Sequence, residues 1–256
     1  MSTEQRYTKE TITDIRYWVD NKLFSIKTTR SPEFQFKPGQ FARLGLPEQE
    51  NGEPTLWRGF SMVNPVDSTD LEFYAVVVPD GQFSPRLAAL SIGDSLYIDK
   101  TPVGFLTLDN FPNGGKTLWL LATGTGLSAY LSIIHDATTW ERFDQVVLCH
   151  GVRYINELSY QETIAQWKSQ WGDRFIYLPL PTREPHAHYP QKRLTHLIEH
   201  DELAKLAGVD LNPATDCVML CGNPDMLTEA RKILSEKGFA AGRRGNIGNL
   251  AVEKYW

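Results

Sequence analysis

Two joined domains, an antiparallel β-barrel over residues 1–112 and a doubly wound parallel α/β sheet over residues 113–256, are predicted by three features of the sequence. Up to about residue 112, short β-branched and aromatic runs ("LFSIKTT", "FARLGL", "LEFYAVVV", "DSLYIDK") are separated by the turn signals "KPGQ", "PDGQ" and "SIGD", the pattern of antiparallel strands. Pro112, Gly114 and Gly115 in "NFPNGGKT" then mark a boundary of the kind found between domains. Beyond it, continuous apolar runs alternate with amphipathic segments: "TLWLLA" before 127–140, "DQVVLCH" before 156–170, "RFIYLPL" before 191–207 and "DCVMLC" before 224–237. Strands buried on both faces and separated by helices make a parallel sheet.

Composition narrows the function classes. A chain of 256 residues with 41% hydrophobic and 22% charged residues has the make-up of a soluble globular protein. The first twenty residues lack the apolar core of a signal peptide and no later run approaches a membrane span, so a cytoplasmic protein that meets no membrane is expected. A net charge of −5 disfavours nucleic-acid binding, which depends on basic surface; the local pair Arg243 and Arg244 still offers a contact for an acidic partner. The three cysteines are an odd count. Cys217 and Cys221, on one strand, would stand about 13 Å apart and cannot bridge, and no cysteine spacing fits an iron–sulfur cluster. His196 and His200 are four apart on a helix, but spacing places no third ligand, so no metal is expected.

The ends of parallel strands are where such sheets bind ligands. "GTGLSA" places Gly124, Gly126 and Ala129 in G-x-G-x-x-A spacing directly after a strand; glycines there let backbone approach a pyrophosphate. An NAD-selective site would carry an acidic residue at the end of the next strand. Here the residue is Arg153, joined by Arg183 after the third strand and Arg193 before the next helix, and guanidinium groups suit a ribose 2′-phosphate, which favours NADP. Cys221 closes the last strand before "GNPDM" and is either a small buried apolar residue or a polarisable wall of a nicotinamide pocket, in which case Gly222 clears room for the ring. "GTGLSA" lacks the Lys and Ser/Thr of a P-loop, so ATP hydrolysis is not expected. In the barrel half, "WRGFSMVNP" clusters a phosphate-binding cation, a ring and a hydroxyl at Arg58, Phe60 and Ser61, with Phe60 facing away from one of the other two.

The combination "FKPGQF…RGFS", "FYAVVVPDGQFSPRL", "ATGTGLSAYLSI", "HGVRYINELSY", "PTRE", "CGNPDM" and terminal "VEKYW" resembles the bacterial ferredoxin–NADP reductases over nearly the whole chain. The resemblance implies FAD on the barrel, NADP(H) on the α/β domain, and electron exchange between NADPH and ferredoxin or flavodoxin, acidic one-electron carriers; nothing in the sequence demands more than a monomer. It assigns FAD contacts to Arg58, Phe60, Ser61, Tyr74, Ala75, Val76, Phe83, Ser84 and Thr125. NADP contacts fall to Thr123, Gly124, Gly126, Val152, Arg153, Thr182, Arg183, Arg193, Gly222, Asn223 and Asp225. Ser61, Cys221, Glu253 and Tyr255 are the implied catalytic set, with Tyr255 covering the isoalloxazine opposite Phe60 and Trp256 reaching the adenine end. Phe60 replaces the tyrosine usual in the family's "R-x-Y-S" motif, and Ala129 stands where relatives often carry proline. Two other functions fit less of the sequence: an NADH-using reductase component of an oxygenase, and a non-catalytic flavin- or nucleotide-sensing protein.

Overall fold

The computed structural model describes residues 5–49, 52–185, 187–242 and 247–254. Six strands, β1 (Tyr7–Val19), β2 (Leu23–Thr29), β3 (Phe41–Pro47), β4 (Pro54–Ser61), β5 (Asp70–Val76) and β6 (Ser95–Asp99), form one antiparallel sheet in the order β4-β3-β6-β1-β2-β5. Its outer strands meet where Met62 pairs with Phe73 and the Val63 N–H donates to the Glu72 carbonyl at 2.9 Å. The sheet therefore curls into a barrel, which removes exposed edges. Alternate residues such as Ala42, Leu44 and Leu46 on β3 and Leu96 and Ile98 on β6 point inward onto Phe24, Ile26 and Phe73, and Leu87 of the short helix α1 (Ser84–Ala88) packs on the same core.

The thirteen-residue β1 has no counterpart among the runs that the sequence marks as strands. Only Glu10 and Ile12 of it are buried, so its charged, mostly solvated residues hide the period-2 signal. Register shifts at Ile12/Asp14 and Tyr17/Val19 bend it, so that Tyr7–Thr11 pair with β6 and the remainder with β2; such bulges raise local twist and suit barrel closure.

The second sheet is all parallel: β7 (Gly115–Thr123), β8 (Phe143–Val152), β9 (Phe175–Pro181), β10 (Cys217–Cys221) and β11 (Leu250–Glu253), in the order β11-β10-β7-β8-β9. Leu118, Leu120, Val146, Leu148 and Met219 pack on one face, with α2 (Leu127–His135) and α4 (Gln161–Trp171). Trp119, Leu121, Val147, Val218 and Leu220 pack on the other, with α5 (Leu194–Glu199), α6 (Glu202–Ala207) and α7 (Pro224–Glu236). Two of the predicted helices are broken. The segment read as 127–140 divides at Asp136, whose extended backbone and side chain cap α3 (Ala137–Arg142) by accepting from Thr138 N–H at 2.9 Å. The segment read as 191–207 starts at Leu194 and divides at Asp201, which has φ 56°. The segment read as 156–170 opens with a 3-10 turn, Ile155–Glu157, before α4.

The two sheets share a seam. The core under α2 continues into Leu23, Val63 and Tyr74 of the barrel. Polar ties accompany it: Tyr74 and Ser159 share a 2.8 Å hydroxyl hydrogen bond, the Tyr160 hydroxyl donates to Glu72 at 2.7 Å, and the Ser132 hydroxyl to the Asn64 carbonyl at 3.0 Å. Tyr160 stacks obliquely on Trp18, centroids 4.5 Å apart, and its left-handed backbone, φ 60° at the start of α4, turns the ring onto the seam. The contact between the two sheets is thus both apolar and hydrogen-bonded.

Candidate active site

Strand order reverses between β7 and β10, because the chain leaves β7 toward β8 and β9 and returns to lay down β10 and β11 on the other side. Ligands of open parallel sheets bind in the crevice outside the carboxyl ends at that reversal. Two interlocking glycines let the ends of β7 and β10 approach there. A Cβ on Gly126 would stand 2.5 Å from the Cys221 carbonyl oxygen, and one on Gly222, whose φ is +133°, would stand 2.2 Å from Thr123 Oγ1. The same Thr123 hydroxyl accepts the Asn223 N–H at 2.8 Å. Asn223 also caps α7, its side-chain oxygen accepting from Asp225 and Met226 N–H at 2.9 and 3.2 Å.

From this crevice opens a cavity of about 560 Å³. Of the residues expected at the nucleotide, Thr123, Gly124, Val152, Arg153, Thr182, Arg193, Asn223 and Asp225 line it. Gly126 and Gly222 lie behind the lining, at the close approach just described. Arg183 is exposed and not among the lining residues; its N–H donates to the Arg153 carbonyl at 2.9 Å.

A second cavity, of about 260 Å³, lies on the barrel side. Arg58, Phe60, Ser61, Tyr74, Ala75, Val76, Phe83, Ser84 and Thr125 line it, which brings together every residue expected to contact FAD except those of the terminal pair. Pairing of Phe60 with Ala42 and of Ser61 with Phe41 continues without a shift, so Phe60 shares the pleat side of Arg58 and Ser61 takes the other. Phe60 packs obliquely on Phe83, centroids 5.7 Å apart; Ser61 is buried, and Arg58 stands at the mouth, its guanidinium donating to the Trp57 carbonyl at 2.7 Å. Burial raises the Tyr74 phenol well above its usual pKa, despite the hydrogen bond with Ser159, so it acts as a neutral hydrogen-bonding group. Tyr74, Val76 and Thr125 line both cavities, so the two adjoin at the seam.

Flat apolar walls with a few convergent polar groups are what a ring system needs, and a cation at the mouth suits a pyrophosphate. The residues present therefore fit a flavin dinucleotide. Cys221 and Glu253 are register partners at the ends of β10 and β11. Glu253 reaches from the second sheet to the barrel, accepting the Phe105 N–H at 2.9 Å. Tyr255, Trp256, Arg243 and Arg244 lie outside the described residues.

Three residues in or beside the larger cavity were not legible in the sequence. Fully buried His150, near the end of β8, sits 3.1 Å from the Gly124 carbonyl through Nε2. Burial lowers its pKa to about 4, only partly offset by that hydrogen bond and by Glu157, so a neutral imidazole donates to the carbonyl and holds the glycine turn. Glu157 and Lys22 also line the larger cavity. Glu157 is an acidic residue five positions beyond β8, not at the strand end where Arg153 stands; it is buried, and its carboxylate accepts the Arg153 N–H at 2.9 Å, the Arg153 guanidinium at 3.1 Å and the Lys22 ammonium. Burial raises its pKa, but the Lys22 and Arg153 hydrogen bonds and charges outweigh it and the net direction is down. Lys22 comes from the β1–β2 turn, 135 residues away in sequence, and no local pattern marks that contact.

The matches to known proteins agree with this geometry. The oxidoreductase NAD-binding domain family matches residues 120–232. The ferredoxin–NADP reductase of Pseudomonas aeruginosa is 39% identical over 254 residues, 96% of this chain and 96% of that protein. The flavodoxin/ferredoxin–NADP reductase of Escherichia coli is 39% identical over 246 residues, 96% of this chain and 97% of that protein. A crystal structure of a ferredoxin NADP+ reductase from Neisseria gonorrhoeae with bound FAD and NADP superposes with a TM-score of 0.92 at 31% identity, covering 99% of this chain and 100% of that one. A barrel joined to a parallel sheet, two cavities adjoining at their seam and identity sustained from end to end place this chain in the family of bacterial ferredoxin–NADP reductases.

Proposed function

We propose that the two cavities hold FAD against the barrel and NADP(H) against the parallel sheet, and that the protein exchanges electrons between NADPH and ferredoxin or flavodoxin, as a cytoplasmic monomer acting on neither membrane nor nucleic acid. The observation that carries this reading is that Tyr74, Val76 and Thr125 line both cavities, which sets the two ring sites side by side at the seam. Bound FAD supplies the chemistry that side chains lack, taking electrons as a hydride pair and giving them up singly.

The residues supply position. Arg58 pairs with the FAD pyrophosphate, and Ser84, Phe83 and Thr125 lie beside it. Phe60 covers one face of the isoalloxazine, while Tyr74, Ala75 and Val76 hold its inner edge and the ribityl chain. The Ser61 hydroxyl, buried on the opposite pleat side from Phe60, orients the ring at N5. Across the seam Thr123, Gly124 and Gly126 present backbone to the NADP pyrophosphate, with Val152 and Thr182 walling its path. Arg153, Arg183 and Arg193 meet the 2′-phosphate. Gly222 clears the nicotinamide, Asn223 and Asp225 border it at the start of α7, and Cys221 and Glu253 close its pocket, with Glu253 placed for proton transfer. The reading gives Tyr255 the cover opposite Phe60 and Trp256 the adenine end; in its support, Glu253, two residues before Tyr255, ends its strand beside Cys221. On this assignment residues 1–112 form the FAD domain and 113–256 the NADP domain. The acidic surface of the carrier is met by local basic clusters such as Arg243 with Arg244. Three free, buried cysteines accord with a reducing compartment.

Steady-state reduction of a ferredoxin or flavodoxin by NADPH tests this. Catalytic reduction of the carrier, faster with NADPH than with NADH, is expected. A clear preference for NADH would move the protein to oxygenase-type reductases, and no turnover with either coenzyme would leave a binding protein.

A further inference from the structure

The nucleotide cavity is not built by its own domain alone. Lys22, on the turn between β1 and β2 of the barrel, reaches across the seam into its wall and pairs with Glu157. Its place is fixed by backbone as well, since Lys22 N–H donates to Val19 at 3.1 Å and Val77 N–H donates to the Lys22 carbonyl at 2.8 Å. Glu157 has no oxygen to spare: Oε1 takes the Lys22 ammonium and Arg153 Nη2 at 3.1 Å, while Oε2 takes the Arg153 and Tyr154 N–H groups at 2.9 and 3.4 Å. An acid so consumed is a poor acceptor for a ribose 2′-hydroxyl, the contact that an acidic residue makes to NAD at such sites.

The charges in the wall sharpen the point. Lys22, Arg153 and Arg193 face the cavity together with Glu157, Asp225 and Glu229, an even balance that the loss of one cation would tip negative. The side chain of Lys22 is 32% exposed and that of Glu157 8%, so the pair is only partly screened by water.

We infer that Lys22 is a specificity-determining residue for NADPH: by sharing Glu157 with Arg153 and offsetting its charge from the barrel side, it keeps the wall around Arg153 positive enough to attract a 2′-phosphate and fills an acceptor position that NADH's ribose would need. Removing it leaves Glu157 offset by Arg153 alone and vacates one acceptor position on Oε1, and both changes act in the same direction. The inference rests on the reading that Arg153 meets the 2′-phosphate.

Steady-state kinetics of the FAD-loaded protein with ferricyanide as a small acceptor separate the possibilities. For Lys22→Met the ratio of kcat/KM for NADPH to that for NADH is expected to fall about tenfold, the scale of one lost charge near a phosphate at an effective dielectric constant between those of water and protein. The fall should come through a higher KM for NADPH, and Lys22→Arg should restore most of it. A mere tie between domains predicts equal losses with both coenzymes and a lower Tm; equal losses, or an unchanged ratio, overturn the inference. Arg153→Ala is the control on the underlying reading. If it erases the preference while Lys22→Met does not, only the role of Lys22 fails; if it leaves the preference intact, the placement of the 2′-phosphate fails.

Discussion

Gly222→Ala is expected to cost roughly 2–5 kcal/mol of stability, the combined scale of overpacking and a forced left-handed backbone, and to remove NADPH-dependent turnover. Gly222 has φ +133°, and the added methyl would lie 2.2 Å from Thr123 Oγ1 and 2.6 Å from the Thr123 carbonyl oxygen. Neither atom can retreat: the hydroxyl holds Asn223 N–H, and Thr123 is the last residue of the central strand β7, between β8 and β10. Relief must come by parting the carboxyl ends of β7 and β10, which deforms the crevice proposed to take the nicotinamide. Urea unfolding and NADPH oxidation by ferricyanide read the two effects. Gly93→Ala is the matched control, because Gly93 also has positive φ, +96°, but nothing within 4 Å of an added Cβ; its cost should be about 1 kcal/mol, with turnover retained. Similar stability and activity for the two variants would mean that the strand ends are not held in close approach.

Arg58→Ala is expected to weaken FAD retention by about ten- to a hundredfold, the worth of a charge-assisted hydrogen-bond pair to phosphate. Arg58 is exposed at the mouth of the barrel-side cavity and donates to the neighbouring Trp57 carbonyl at 2.7 Å, so little of the fold depends on it. The variant should elute from gel filtration largely without flavin, with the unfolding midpoint of its apoprotein close to that of the wild-type apoprotein. Arg58→Lys should recover part of the affinity, since an ammonium keeps the charge but not the planar fork. Full retention of FAD by Arg58→Ala would place the pyrophosphate elsewhere.

Much of the architecture was legible because its patterns are local. The run "LFSIKTT" is β2 residue for residue, and the four apolar runs of the second half are the strands β7 to β10 to within a few residues. What escaped was carried by tertiary context. Strand β1 exposes most of its length and is recognised by pairing with two partners rather than by its own alternation. The short β11 (Leu250–Glu253) exists because β10 offers it an edge. The helix breaks at Asp136 and Asp201 are single-residue events, one an N-cap and one a left-handed turn, inside segments whose apolar period continues past them.

The same division holds for the site. The glycine turn, Arg153 and Arg193 sit at strand ends or helix starts, which sequence locates well, and they line one cavity. The barrel residues from Arg58 to Ser84 were grouped through resemblance and are brought together by β4, β5 and the start of α1. Lys22 and Glu157 are joined only when the domains dock, and His150 reads as one more buried strand residue until its ring is found against Gly124.

The central claim is that a flavin in the barrel-side cavity receives electrons directly from NADPH across the seam. Anaerobic mixing of the purified FAD-loaded protein with NADPH, followed through the visible absorption of oxidised flavin, tests it most directly. The account predicts complete loss of that absorption within one turnover, slower with NADH. Flavin that stays oxidised in the presence of excess NADPH would contradict it.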